Sequence, residues 1–245
     1  GDLPEGDGHA PHTTGARPLH LQTFYSRVAQ RLIHFLSTYT PSGRLYEVDS
    51  RLRPRGGAGL LVTSESALCR YLREEAWTWE LQALLRARPV AGDPALRARM
   101  AESRLGLLTR ARDPDRLRTD VRDMRARMLR EHASREPDAF RVKRDDGGIV
   151  DIEFVVQYLA LKEAQRLGSR LECTGTMGLL NACVEVGAIA ADEAGLLCEA
   201  FDRYRMRVNR LALNEREDDG LVPELRPLAK RVRRIRDRVV GVPGP

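Results

Sequence analysis

The chain is poor in several features that would narrow its function. None of its 245 residues lies in an apolar run of membrane-crossing length and no secretory leader is visible, so a cytoplasmic protein with no membrane partner is expected. Cysteine is scarce. Cys69, Cys173, Cys183 and Cys198 show no C-x-x-C spacing, which excludes the common zinc and dithiol motifs and predicts buried, reduced thiols. His9, His12, His20, His34 and His132 form no ligand pattern, and no Ser/His/Asp or Cys/His arrangement stands out. Aromatics are only 5% of residues, so the net charge of +6 comes without the stacking residues of a nucleic-acid module. Lysine is nearly missing: of 41 basic side chains only Lys143, Lys162 and Lys230 are lysines, a bias that a GC-rich genome explains without function. ATP or an acidic protein surface suits the charge as well as nucleic acid does.

A hydrophobic content of 42% and a charged content of 31% fit a globular protein large enough to bury a core. Residues 1–18 read as a polar loop. Leu21, Phe24, Tyr25, Val28, Leu32, Phe35 and Leu36 recur at steps of three and four and predict a helix over 19–37. Pro41-Ser42-Gly43 is a turn signal, and Pro54 to Gly59 a second one, leading into Leu60-Leu61-Val62-Thr63 as the return strand of a hairpin. Ser64 suits the N-cap of a helix starting near Glu65, which continues with a break through Trp77 and Trp79 until Pro89. Gly92-Asp93-Pro94 is the expected boundary between an α+β domain at 1–92 and an α-helical bundle at 93–245, mostly α overall. In the second part the stripes are Leu117/Val121/Met124/Met128, Ile152/Val155/Val156/Leu159, Met177/Leu180/Val184, Ala194/Leu197/Phe201/Tyr204/Val208/Leu211 and Leu225/Leu228/Val232/Ile235/Val239.

The segment Arg-Leu-Tyr-Glu-Val-Asp-Ser-Arg-Leu-Arg-Pro at 44–54 carries most of the chemistry. Read as a strand, it sends Tyr46, Val48 and Leu52 towards a core and Glu47, Asp49, Arg51 and Arg53 to the opposite face. Two acids followed by two arginines on one face can hold a hydrated divalent cation and clamp a phosphate beside it; a solvated strand edge has the same pattern. Gly56, Gly57 and Gly59 can bring backbone N–H groups to a phosphate or simply make a turn. Trp77 and Trp79, about 200° apart on a helix, predict core packing for at least one of them, with stacking on adenine as the alternative. Asp145-Asp146-Gly147-Gly148 precedes a helix with Asp151 in its first turn and Glu153 just after; capping and dipole complementation compete with a catalytic use of either acid.

Three ordered segments carry a resemblance over about residues 20–215. Tyr46 to Pro54 with Gly56-Gly57-Ala58-Gly59-Leu60-Leu61-Val62, then Glu75-Ala76-Trp77-Thr78-Trp79-Glu80 with Ala83 to Arg88, then Gly147-Gly148-Ile149-Val150-Asp151-Ile152-Glu153-Phe154, resemble the glutamine synthetase adenylyltransferases. The Trp-Thr-Trp-Glu segment and the acid at position 47 are closer to the C-terminal, adenylylating half of that two-halved family. The resemblance implies the end of a nucleotidyltransferase domain followed by helices, with ATP as substrate and Mg2+ as cofactor. The resemblance implies Asp49 as a metal-site acid and favours Glu153 as a catalytic acid, while the residues' own chemistry adds Glu47 beside the metal, Arg51, Arg53 and Gly57 as ATP-binding residues, and Asp151 as a further catalytic candidate. Glutamine synthetase and a PII-type nitrogen-signalling protein are the implied partners.

The superfamily's Gly-Ser turn followed by Asp-x-Asp does not occur before Asp49, and Asp2 and Asp7 are not on a hydrophobic strand. Position 1 is glycine rather than methionine. The expectation is a C-terminal piece of a longer enzyme, poorly active by itself. Two alternatives stay open: another protein-modifying nucleotidyltransferase such as a uridylyltransferase, and a non-catalytic helical binding module.

Overall fold

The computed structural model describes residues 12–132, 140–214 and 222–242. The first eleven residues of the expected N-terminal loop, with His9, Asp2 and Asp7, lie outside them, and of His132 only the backbone is described. Helices dominate, and none is long and apolar enough to cross a membrane. The chain divides into two compact units: residues 1–83 with 89–107, and residues 84–88 with 108–245.

In the first unit α1 spans Leu21–Ser37, α2 Glu65–Glu74, α3 begins at Thr78 and runs to Arg86, and α4 spans Pro94–Leu108. The ends follow local chemistry. His20 Nδ1 accepts the Gln22 N–H, Ser64 Oγ accepts the Ala67 N–H and Asp93 Oδ1 accepts the Leu96 N–H, each satisfying a donor that the first helical turn leaves open. Glu65 ties α2 to α4 through Arg99 at 3.0 Å. The α1 helix forms where the periodicity predicts, yet no residue of it is buried, and Phe24, Val28, Leu32 and Phe35 are 39–71% exposed.

The expected strand and hairpin do not form. Among the described residues there are no β-strands, only isolated bridges at His12–His20 and Thr40–Gly43. A strand needs a ladder partner; here the Tyr46 N–H goes to Leu36 O of α1, and after it the bonds are local: Arg53 N–H to Arg51 O, Gly56 N–H to Arg53 O, and the Arg51 N–H to the side chain of Asp49. Tyr46 and Leu52, expected in a core, are exposed. The α+β expectation is thus corrected to a helical structure with an irregular 38–64 connection, and the mostly α part of it holds.

The second unit is built round one helix. α6 spans Ile149–Lys162 and is apolar on nearly every side, with Ile152, Val155, Val156, Tyr158, Leu159 and Leu161 buried. A helix hydrophobic all round must be enclosed. α5 (Pro114–His132), α8 (Thr176–Glu185), α9 (Ala191–Leu213) and α10 (Arg226–Val239) enclose it, with a single turn α7 (Ala164–Leu167) between. The predicted stripes of α9 and α10 are the buried ones over Ala194–Tyr204 and Leu228–Ile235. In α5 the stripe is shifted: Leu117 and Val121 are buried, but Arg125 and Ala126 replace Met124 and Met128 beneath the surface. Burial pushes the Cys183 thiol up to about 12, so it is inert at neutral pH; Cys173, expected inside, is exposed.

Candidate functional site

Asp49 and Arg51 form one compact unit of the 44–59 segment. The Arg51 guanidinium grips the carboxylate through Nε at 2.9 Å from Oδ1 and Nη2 at 2.6 Å from Oδ2, while the Arg51 backbone N–H donates to Oδ1 at 2.9 Å. These bonds hold the Asp49 carboxyl down to about 2, so it is ionised across the neutral range. Its partnership with Arg51 raises the guanidinium above its ordinary value. Both side chains stay largely exposed, so the pair adds little stability and leaves faces of both groups open to a ligand. Glu47, also exposed, lies 3.7 Å from Arg44.

Arg53 is directed differently. Its Nε donates to Gly56 O at 2.8 Å, with longer contacts of 3.3 Å to Ser50 Oγ and Gly57 O. The glycine loop thus presents carbonyls to Arg53 at these positions. A Cβ at Gly59 would stand 1.9 Å from Pro54 O, so only glycine fits where the loop folds back on itself. Among the described residues no three His, Cys, Asp or Glu side chains gather as a metal site. With one gripped carboxylate at Asp49, these residues do not by themselves fit a magnesium ion, which needs more oxygen ligands than that.

The Trp-Thr-Trp-Glu segment makes a helix start. Glu80, three residues past Trp77, reaches back so that Oε2 accepts the Trp77 N–H at 3.0 Å, one half of a capping box. Its oxygens also accept the Tyr71 hydroxyl at 3.0 Å, and Glu80 is only 1% exposed. Neither tryptophan is core: Trp77 and Trp79 are 70% and 39% exposed. Tyr71 was not singled out in the sequence, and Glu80 only as the end of the Trp-Thr-Trp-Glu segment, although the Trp77-x-x-Glu80 spacing is a capping signal. Tyr71→Phe leaves a buried carboxylate one donor short, and should lower the stability of this unit by about 1–3 kcal/mol, read from the denaturant midpoint.

On α6 the two candidate acids have separate fates. Glu153 is half-buried at the surface and pairs with Arg86 Nη1 at 2.7 Å. Asp151 is fully buried: Oδ1 accepts Arg125 Nε at 2.7 Å and Arg236 Nη1 at 3.0 Å, and Oδ2 accepts the Gly147 N–H. Arg125 goes on to the carbonyls of Arg144 and Asp145, and Arg236 to Asp146 and Asp237. Burial alone would lower the Arg236 pKa; Asp151 and Asp146 outweigh it and hold the guanidinium above its ordinary value. Asp151 therefore stitches α5, α6, α10 and the 141–148 turn together. Arg125 and Arg236 were missed in the sequence because a lone arginine reads as surface. Their phase was the available signal, since Arg125 follows Val121 by four and Arg236 follows Val232 by four.

Two family models match successive parts of the chain. A family model described as glutamate-ammonia ligase adenylyltransferase matches residues 7–103, and one described as GlnD PII-uridylyltransferase matches residues 115–236. A protein from Thioalkalivibrio sulfidiphilus named bifunctional glutamine synthetase adenylyltransferase/adenylyl-removing enzyme is 45% identical over 213 residues, 87% of this chain and 22% of the relative. Like-named proteins from Nitrosococcus oceani and Hahella chejuensis are 46% and 44% identical over 84% and 82% of the chain, each match covering 21% of the relative. The chain spans about a fifth of the length of the curated relatives it matches. At such identity over most of its residues, the chain belongs to the glutamine synthetase adenylyltransferase family, as a segment of its much longer members.

Proposed function

We propose that this chain is part of an enzyme that transfers AMP from ATP to a tyrosine hydroxyl of glutamine synthetase, and that it derives from the adenylylating half. The observation that carries the reading is the 45% identity over 213 residues to a protein named for that activity. The acid at Glu47 and the Trp77-Thr78-Trp79-Glu80 segment support the choice of half. In the reaction the tyrosine oxygen attacks the α-phosphorus of ATP, the bond from that phosphorus to the pyrophosphate oxygen breaks, pyrophosphate leaves, and the tyrosine gives up its proton. Residues 1–92 correspond in this reading to the end of the nucleotidyltransferase domain.

Asp49 contributes a permanently ionised carboxylate at the reacting centre, and Arg51, held beside it with its outer edge exposed, binds a phosphate of ATP. Arg53 and Gly57 shape the loop below. Magnesium requires carboxylates additional to Asp49, so the chain by itself is expected to be poorly active. Of the α6 acids, Glu153 stays partly exposed in its pair with Arg86, while Asp151 acts through the helices it fixes. Glutamine synthetase is the acceptor. A PII-type protein as regulator is supported by the uridylyltransferase match of 115–236, which also favours, as a second reading, a helical unit shared among nitrogen-signalling nucleotidyltransferases.

The test grafts the chain into the Thioalkalivibrio relative in place of its matching segment, and follows AMP on a glutamine synthetase tyrosine by peptide mass spectrometry with Mg2+ and ATP. Transfer is expected in the graft, with little from the chain alone. Asp49→Asn in the graft should slow transfer roughly 10²-fold. Transfer untouched by Asp49→Asn sinks the assignment of that residue, and no transfer from a folded graft sinks the proposed activity.

A further inference from the structure

A cavity of about 220 Å³ opens in the helical unit, lined by Arg125 and Met128 of α5, Lys143 and Arg144 of the following turn, and Val150 in the first turn of α6. Three of its five lining side chains are cations and none is an acid. The neighbouring acids are engaged elsewhere. Asp145 Oδ2 accepts the Arg141 N–H at 2.7 Å, Asp146 pairs with Arg233 at 2.8 Å and with Arg236, and Asp151 holds Arg125 and Arg236.

The cations differ in exposure and in how far their direction is fixed. Arg125 is 1% exposed and its direction is set by Asp151 and by the carbonyls of Arg144 and Asp145, leaving its Nη1 with no hydrogen bond among the described residues. Lys143 and Arg144 are exposed at the mouth, and neither side chain has an ion-pair partner among the described residues. One wall is apolar, made by Met128 and Val150.

We propose that this cavity binds a small phosphate-bearing molecule, its phosphate between Lys143, Arg144 and the fixed edge of Arg125, and its apolar portion against Met128 and Val150. A compact dianion matches several converging donors, and a fixed guanidinium forms its bonds with less loss of freedom than a mobile one. The site lies wholly in the helical unit and is distinct from Asp49 and Arg51.

The experiment is calorimetric titration of the whole chain with inorganic phosphate and with phenyl phosphate, in a phosphate-free buffer at low fixed ionic strength. Saturable one-site binding is expected, tighter for phenyl phosphate, and weakened at least about fivefold by Lys143→Ala and by Arg144→Ala. Both variants remove exposed side chains and should melt as the parent does. The Arg231→Ala/Arg234→Ala double variant, which removes two exposed cations of α10, should bind as the parent does. Absence of saturable binding overturns the proposal, as does equal weakening by the α10 variant, which would signify only a basic surface. Equal affinity for the two probes overturns the role given to the apolar wall.

Discussion

Asp151→Ala should destabilise the helical unit by about 3–5 kcal/mol. The reason is what remains rather than what is lost. Arg125 and Arg236, whose side chains are each 2% exposed, would keep their charges without the carboxylate that both share. Asp146 would still pair with Arg236, but Arg125 would retain only the two carbonyls of the turn. The Gly147 N–H, buried with them, would also lose its acceptor. The thermal midpoint followed by circular dichroism reads the effect, because this unit holds most of the helix. Combining Asp151→Ala with Arg236→Met should cost less than the sum of the two single changes, since the second removes a charge that the first leaves stranded. Additivity would mean that the network is not acting as one. By contrast, Asp49→Ala should leave the midpoint unchanged, because its pair with Arg51 is open to solvent.

Gly147→Ala should cost roughly 2–6 kcal/mol, from two independent sources. Gly147 has φ +88, where an L side chain is strained, and a Cβ there would stand 2.3 Å from the carbonyl oxygen of Ala229. That obstacle is the backbone of α10, which cannot rotate aside as a side-chain tip can. Gly187 separates the two sources: its φ is +69, yet nothing lies within 4 Å of its added Cβ. Gly187→Ala should therefore cost only the conformational part, about 1–2 kcal/mol. Equal thermal midpoints for the two variants would show that α10 is not pressed against the turn in solution.

How much of this was legible in the sequence depends on the kind of force involved. Apolar residues at steps of three and four located α1, α6, α9 and α10, although only in α9 and α10 does that spacing mark a single buried face: α1 leaves its stripe exposed and α6 is enclosed all round. The Ser64 cap was equally plain, since a hydroxyl before a helical run has one obvious use. The strand at 44–54 was misread because alternation is necessary for a strand but not sufficient: it carries no information about a ladder partner, and Asp49 closed a local turn instead. Arg51 turns back on Asp49 instead of standing free on a strand face, though the pair leaves the arginine's outer edge exposed. Glu153 and Asp151 are two residues apart and similar in chemistry, and only the positions of α5 and α10 determine which of them is sealed. Those positions depend on pairings across many residues, which no local pattern records.

The bond from Asp151 to Arg236 joins residues 85 apart in the chain. During synthesis α6 leaves the ribosome long before α10 exists, so Asp151 and the apolar surface of α6 that α10 covers must wait without their final partner. The helical unit can reach its native core only after the last helix is released, which places its commitment to fold at the end of translation of this region.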